Sequence, residues 1–283
     1  MAEIELVSQA KSFGGVQYVY KHQSQMTGGT MTFAVFVPPQ ALEAGGPGKT
    51  LPVLTYLSGL TCTHANVMEK GEYRRAAAEL GVIVVCPDTS PRGEGVPNDE
   101  AYDFGQGAGF YVDADEAPWK TNFRMYSYVT RELPALIAEH FPVDMARHGI
   151  FGHSMGGHGA LTLALREPQL YKSVSAFSPI VNPTVVPWGR KAFEGYLGKD
   201  EKRWRQHDAV ALIEDGKTVK DILVDIGTGD PFFDKELKPE NLEAACKAAG
   251  IALTLRRQEG YDHSYFFIST FMEDHLRWHA ARL

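Results

Sequence analysis

Gly152-His153-Ser154-Met155-Gly156 is a G-x-S-x-G, a serine with glycines two residues away on each side. The pattern suits a nucleophile elbow, a tight strand-to-helix turn that exposes the serine hydroxyl. Strand and helix approach so closely there that the flanking positions cannot carry side chains. The surrounding text agrees: "HGIF" reads as a buried strand and "GGHGALTLALREP" as a helix, with Gly157 and Gly159 letting it lie close on a sheet. The start of that helix would aim amide N–H groups at any oxyanion forming beside the serine.

A serine nucleophile needs a base and an acid, which in such a fold follow it in chain order, acid first, in loops after late strands. The segment "ILVDIGTGDPFFD" offers Asp225, Asp230 and Asp234. Asp225 lies inside the strand and Asp234 four residues beyond the turn. Asp230 stands in the Gly-Thr-Gly-Asp-Pro turn at the strand's carboxyl end, where α/β sites form, and is the favoured acid. Three histidines follow. His275 and His279, spaced i, i+4 in the C-terminal helix, read as an exposed or capping face, whereas His263 sits in the "YDHSYFF" loop after the strand "IALTLRRQEG". Asp262 is a rival acid, but loop neighbours point apart. The chemistry is then acyl transfer: Ser154 attacks a carbonyl, His263 takes and returns the proton, and Asp230 fixes the imidazole tautomer. An imidazole near its ordinary pKa of ~6.5 makes activity rise through neutral pH. Met155 supplies one oxyanion N–H, and the loop "LSGLTCTHAN" a second, with Leu60 the first choice and Gly59 the next. No metal and no cofactor are implied.

These residues need a scaffold. "VQYVYKHQS" and "GTMTFAVFVP" alternate around Thr27-Gly28-Gly29, an antiparallel opening over the first ~37 residues. "PPQALEAGGPGK" reads as a surface loop. Then come short runs apolar on both faces, 52–58, 81–88, 148–154, 173–178 and 221–230, which suit central parallel strands. Helical segments at 69–81, 121–141 (with Pro134 a kink), 239–250 and the C-terminus separate or follow them. The expectation is an α/β-hydrolase-like fold, mostly parallel with antiparallel N-terminal strands, helices on both faces, and residues 1–283 as a single domain. The long stretches 87–120 and 179–208 read as irregular and site-building.

Composition narrows the function classes. Net charge is −7, from 28 basic against 35 acidic residues without a like-charge block, which disfavours nucleic acid as a partner. No run of about 18 apolar residues would cross a membrane. The start "MAEIELVSQAKSFGG" lacks the apolar stretch of a secretory signal. Cys62, Cys86 and Cys246, odd in number and widely spaced, suggest free thiols in a reducing, cytoplasmic setting.

"YLSGLTCTHANV", "PDTSPRGEGVPND", "DFGQGAGFYVDA", "FGHSMGGHGAL", "FSPIVNP", "PWGRKAFEGYLG" and "YDHSYFFISTF" occur in order from about residue 13 to the end. Together they closely resemble the S-formylglutathione hydrolase (esterase D) family of α/β-hydrolases. The resemblance implies a cytoplasmic serine thioesterase that cleaves S-formylglutathione to formate and glutathione in formaldehyde detoxification, acts also on small esters, and is often a homodimer. It puts the family's triad on Ser154, Asp230 and His263 and its oxyanion amides on Leu60 and Met155. Cys62 matches a cysteine near the active site, and Trp188 an aromatic lining the substrate pocket. Met155 could narrow the acyl side, and Arg190 or Lys191 could meet the anionic glutathione. The alternative is a general carboxylesterase for small oxygen esters, which shares every one of these residues.

Overall fold

The computed structural model describes residues 3–42 and 50–283; residues 43–49 of the loop expected at 38–49 lie outside it. The strands are β1 Ile4–Ser12, β2 Gly15–Gln23, β3 Thr30–Val37, β4 Leu51–Leu57, β5 Ile83–Pro87, β6 Val143–His153, β7 Ser173–Phe177, β8 Asp221–Gly227 and β9 Ala252–Gln258. They form a nine-stranded sheet in the order β1-β2-β3-β5-β4-β6-β7-β8-β9. β1, β2, β3 and β5 pair antiparallel, and from β5 onward every neighbour is parallel. This is the α/β-hydrolase arrangement expected from the apolar runs.

Helices α1 His64–Lys70, α2 Tyr73–Leu80, α3 Met125–Ser127, α4 Leu133–His140, α5 Met155–Arg166, α6 Pro187–Leu197, α7 Glu201–Trp204, α8 Ala209–Glu214, α9 Pro239–Ala249 and α10 Tyr265–Ala280 flank the sheet. Alternate residues of each central strand feed different cores. Val53 and Leu57 of β4 join the core that includes Leu161 and Ala164 of α5. Leu54 and Tyr56 join the one built with Tyr73 of α2 and Phe267, Met272 and Leu276 of α10. Burial on both faces is why these strands lack polar alternation.

The chain crosses from one side of β4 to the other between β5 and β6, so β4 and β6 meet at the point where strand order reverses. Their carboxyl ends open the crevice in which sites of open α/β sheets form. Gly59 follows one strand and Ser154 the other.

Several elements differ from expectation, each for a local reason. β1 precedes the hairpin read from the sequence; its residues are nearly all exposed, so no core pattern marked it. The helix expected at 69–81 is two helices, because α1 is started early by a Thr63–Asn66 capping box and ended at Gly71. Glu72 then takes a left-handed conformation before α2. At 121–141 the irregularity sits ahead of Pro134: a wide π turn spans Tyr128–Glu132 between α3 and α4. Proline cannot donate to a preceding carbonyl, so the turn in front of it loosens. The stretch 179–208 is not irregular; it carries α6 and α7.

The largest correction concerns the C-terminal helix. His275 and His279 are fully buried, not exposed. α10 packs that face on the sheet, where the His279 ring nitrogens lie 2.6 and 2.8 Å from the hydroxyls of Ser173 and Ser175. His275 Nδ1 lies 2.8 Å from Ser175 Oγ and its Nε2 3.2 Å from Asp225. Asp225 also accepts two bonds from Arg256, at 2.6 and 2.5 Å. Burial pushes its carboxyl up, but the His275 and Arg256 contacts prevail and hold it below the ordinary carboxylate range.

Candidate active site

Ser154 sits between β6 and α5 with φ +58° and ψ −117°. This strained backbone is held from both sides: its N–H donates to Phe177 O at 3.0 Å, and its carbonyl accepts from His158 N at 2.9 Å. The flanking glycines are obligatory. A Cβ on Gly156 would stand 1.9 Å from Leu57 O, and one on Gly152 2.4 Å from Gly156 O. The strain is thus local, and the packing of β4, β6 and α5 maintains it.

Leu60, in the turn after β4, lines the same cavity as Ser154, and Met155 opens α5 directly after the serine. Among the described residues, neither backbone N–H is engaged by a backbone or side-chain acceptor. The turn carrying Leu60 is clamped elsewhere. Thr61 N–H donates to Gly107 O at 2.9 Å, and the Cys62 carbonyl accepts from Thr89 Oγ1 at 2.5 Å and Arg92 Nη2 at 2.8 Å. Tyr111 Oη donates to Ser58 O at 2.8 Å. The glycine- and aromatic-rich stretch after residue 103 therefore braces this turn, a role its sequence did not disclose.

Asp230 is 5% exposed in the turn after β8. One of its carboxylate oxygens accepts from Phe232 N–H at 2.9 Å, and the other is 2.5 Å from His263 Nδ1. With Asp230 ionised, His263 carries its proton on Nδ1 and leaves Nε2 free as a base. Asp262, the rival acid, is occupied instead in capping α10 through Ser264. The imidazole of His263 also meets two rings, Phe232 at 5.0 Å and His153 at 4.4 Å between centroids.

Ser154 and His263 open onto one cavity of about 250 Å³, lined also by Gly59, Leu60, Thr61, Cys62, Tyr102, His153, Trp188, Phe232 and Tyr265. Cys62 and Trp188 thus stand at the cavity. Burial raises the Cys62 thiol pKa against the opposing pull of the Tyr265 hydroxyl and of Lys70 and Arg92, so it is held as a thiol. Trp188 Nε1 donates to Tyr102 Oη at 3.1 Å, and its ring lies 4.6 Å from Phe232.

One expectation fails here, and the two candidate cations stand outside the cavity lining. Met155 is completely buried and does not line the cavity, so its side chain does not narrow it. Arg190 pairs with Glu201 at 2.6 Å, and Lys191 with Asp103 at 2.5 Å. Neither cation lines the cavity, and each already has a carboxylate partner. His153, Tyr102, Phe232 and Tyr265 were not singled out, although His153 is the variable position of G-x-S-x-G and Phe232 and Tyr265 flank the acid and the histidine. Among the described residues no group of three or more His, Cys, Asp or Glu could hold a metal ion. Among the described residues no helix is long and apolar enough to cross a membrane.

A mostly parallel sheet with a strained serine at its reversal point, sharing a cavity with a histidine held by an aspartate, defines an α/β-hydrolase of the serine type. Residues 24–278 match the esterase family described as "Putative esterase". The chain is 56% identical to S-formylglutathione hydrolase of Paracoccus denitrificans over 99% of its own length and 98% of that protein. It is 53% identical to the Bos taurus S-formylglutathione hydrolase, covering 99% of each. The solved structure of an S-formylglutathione hydrolase from Agrobacterium tumefaciens superimposes with a TM-score of 0.96 at 57% identity, covering 98% of this chain and 99% of that one. The chain belongs to the S-formylglutathione hydrolase family.

Proposed function

We propose that this chain is a serine thioesterase that hydrolyses S-formylglutathione to formate and glutathione, with side activity on short-chain carboxylic esters. The observation that carries this reading is the 2.5 Å His263–Asp230 pair opening onto the same cavity as Ser154. The chain that holds them is 56% identical to a protein of that name.

In this reading Ser154 Oγ attacks the formyl carbon while His263 Nε2 takes its proton. The carbonyl oxygen becomes an oxyanion facing the N–H groups of Leu60 and Met155. Collapse of the intermediate breaks the C–S bond, and the departing sulfur receives the proton from His263. A thiol of pKa ~8.5 leaves more easily than an alkoxide, so this step needs little acid help. Water then attacks the formyl-enzyme with His263 again as base, and formate departs as Ser154 regains its hydrogen. Asp230 stays ionised and stabilises the imidazolium in both halves. The rings of Trp188 and Phe232 give the cavity an apolar wall beside the reacting groups.

The same reading takes the chain as one catalytic domain working in the cytoplasm, without nucleic acid as a partner, and as a homodimer. Light scattering on the purified protein tests the dimer. Comparing kcat/KM for S-formylglutathione with that for a short acetyl ester separates this function from a general carboxylesterase: a strong preference for the oxygen ester would refute the thioesterase assignment. Ser154→Ala should abolish both activities.

A further inference from the structure

His153 directly precedes the nucleophile, yet no step above uses it. Its residue is 6% exposed, and neither ring nitrogen makes a well-aligned hydrogen bond among the described residues, although the His263 backbone comes close enough to one of them to favour its charged form. Such orphaned buried nitrogens call for an explanation. The ring is wedged between the two walls of the site. On one side a Cβ built on Gly59 would come within 3.3 Å of His153 Nδ1, so the turn after β4 packs closely on this imidazole and even an alanine there would press on it. On the other, the ring meets His263 at 4.4 Å between centroids, tilted by 48°. Tyr265 lies a further ring contact away, at 6.4 Å.

The remaining contacts of His263 make this wedge consequential. Asp230 fixes one ring atom, and Phe232 touches the ring edge-on at 79°. A single hydrogen bond lets an imidazole swing about the bond's axis; planar neighbours prevent that. Burial, reinforced by the ring of the neighbouring His263 and only partly offset by a contact with the His263 backbone, keeps His153 uncharged. An uncharged ring does not repel the imidazolium that His263 becomes when it takes the serine proton.

We infer that His153 is a positioning residue for the base: its flat neutral ring, rather than its nitrogens, holds His263 at the angle from which Nε2 meets Ser154. The inference rests on the proposed function for its substrate, but the contact itself is independent of which ester is cleaved. Because neither nitrogen makes a well-aligned hydrogen bond, the contact is chiefly one of ring against ring, so a phenyl ring can replace the imidazole and a residue of comparable bulk without a flat face cannot.

The test compares His153→Phe, His153→Leu and His153→Ala with the wild type, on S-formylglutathione and on p-nitrophenyl acetate. Thermal melts of each variant establish that it is folded. Alanine and leucine should lower kcat by about 10–100-fold on both substrates with KM changed less than about twofold, the cost of a base misplaced by a fraction of its own width. Phenylalanine should restore kcat to within about threefold of wild type. The downfield proton NMR signal of the His263–Asp230 hydrogen bond should persist in the wild type and the phenylalanine variant, and broaden through exchange in the other two. Folded alanine and leucine variants with wild-type kcat and an intact signal would overturn the inference. So would a folded phenylalanine variant as impaired as alanine, since the nitrogens would then be what matters. Should the wild type cleave p-nitrophenyl acetate but not S-formylglutathione, the substrate assignment fails while the acetate and NMR comparisons still decide the role of His153.

Discussion

Lowering the pH from about 7.5 to about 5 should destabilise this fold by about 4 kcal/mol or more, and two histidines that do not line the substrate cavity set that figure. His148 of β6 and His158 of α5 are completely buried, and burial depresses them to about 3 and about 4. In the unfolded chain each returns to about 6.5. The fold therefore favours the neutral imidazole: its contribution is fully present above about 6.5 and is lost as the pH falls from there toward the folded values. At about pH 5 the unfolded state has bound close to one proton per histidine that the folded state has not. Each then costs about 2 kcal/mol, one and a half pH units at 1.36 kcal/mol per unit. His207, His275 and His279 are buried and shifted the same way, so two histidines give a lower bound. Against a domain stability of about 5–15 kcal/mol this is enough to bring acid unfolding within reach. Urea unfolding at the two pH values measures the change. His148→Gln, whose amide can still reach Thr55 Oγ1 (2.9 Å from His148 Nε2), should recover about half of the loss assigned to the pair. Equal stability at both pH values, or an unchanged loss in His148→Gln, would refute the reasoning.

Asp230→Asn should leave KM nearly unchanged and lower kcat by about 10³–10⁴-fold, because an amide at 2.5 Å from His263 Nδ1 favours the wrong tautomer; steady-state kinetics with intact secondary structure checks this. Gly156→Ala should yield little folded protein, since its Cβ would lie 1.9 Å from a backbone oxygen that no side-chain movement can clear; a soluble variant with a wild-type melting curve would contradict it. Arg256→Ala strips Asp225, whose side chain is fully buried, of its two-pronged partner, and should cost about 3 kcal/mol in urea unfolding, at the low end for a broken buried pair because His275 and Gln258 remain as donors.

What could be read from the residues alone depended on how local the cause was. The strand–turn–helix around Ser154 is legible because its constraint, two glycines where backbone meets backbone, is written within five residues. Asp230 and His263 could be picked out because each occupies a turn or loop after a late strand, although nothing local fixed the 2.5 Å between them. The misread histidines show the opposite case. A pair of imidazoles spaced i, i+4 looks like a polar face until the serines at alternate positions of β7, Ser173 and Ser175, are seen to be their partners a hundred residues away. Lys191 looked free for the same reason, since its partner Asp103 comes from a distant loop. His153 was passed over because the middle of G-x-S-x-G admits many residues, and its importance arises only when the loop carrying His263 is folded against it. The brace of Thr89 and Arg92 on the Cys62 carbonyl is likewise a product of tertiary structure.

The central claim is tested most directly by following thiol-ester loss and formate release from S-formylglutathione with the wild type and Ser154→Ala at equal concentration. The wild type should release stoichiometric formate and glutathione, blocked by a fluorophosphonate that labels Ser154, and Ser154→Ala should show no turnover above the uncatalysed rate. Turnover that survives in folded Ser154→Ala, or a wild type that leaves the thioester intact, would contradict it.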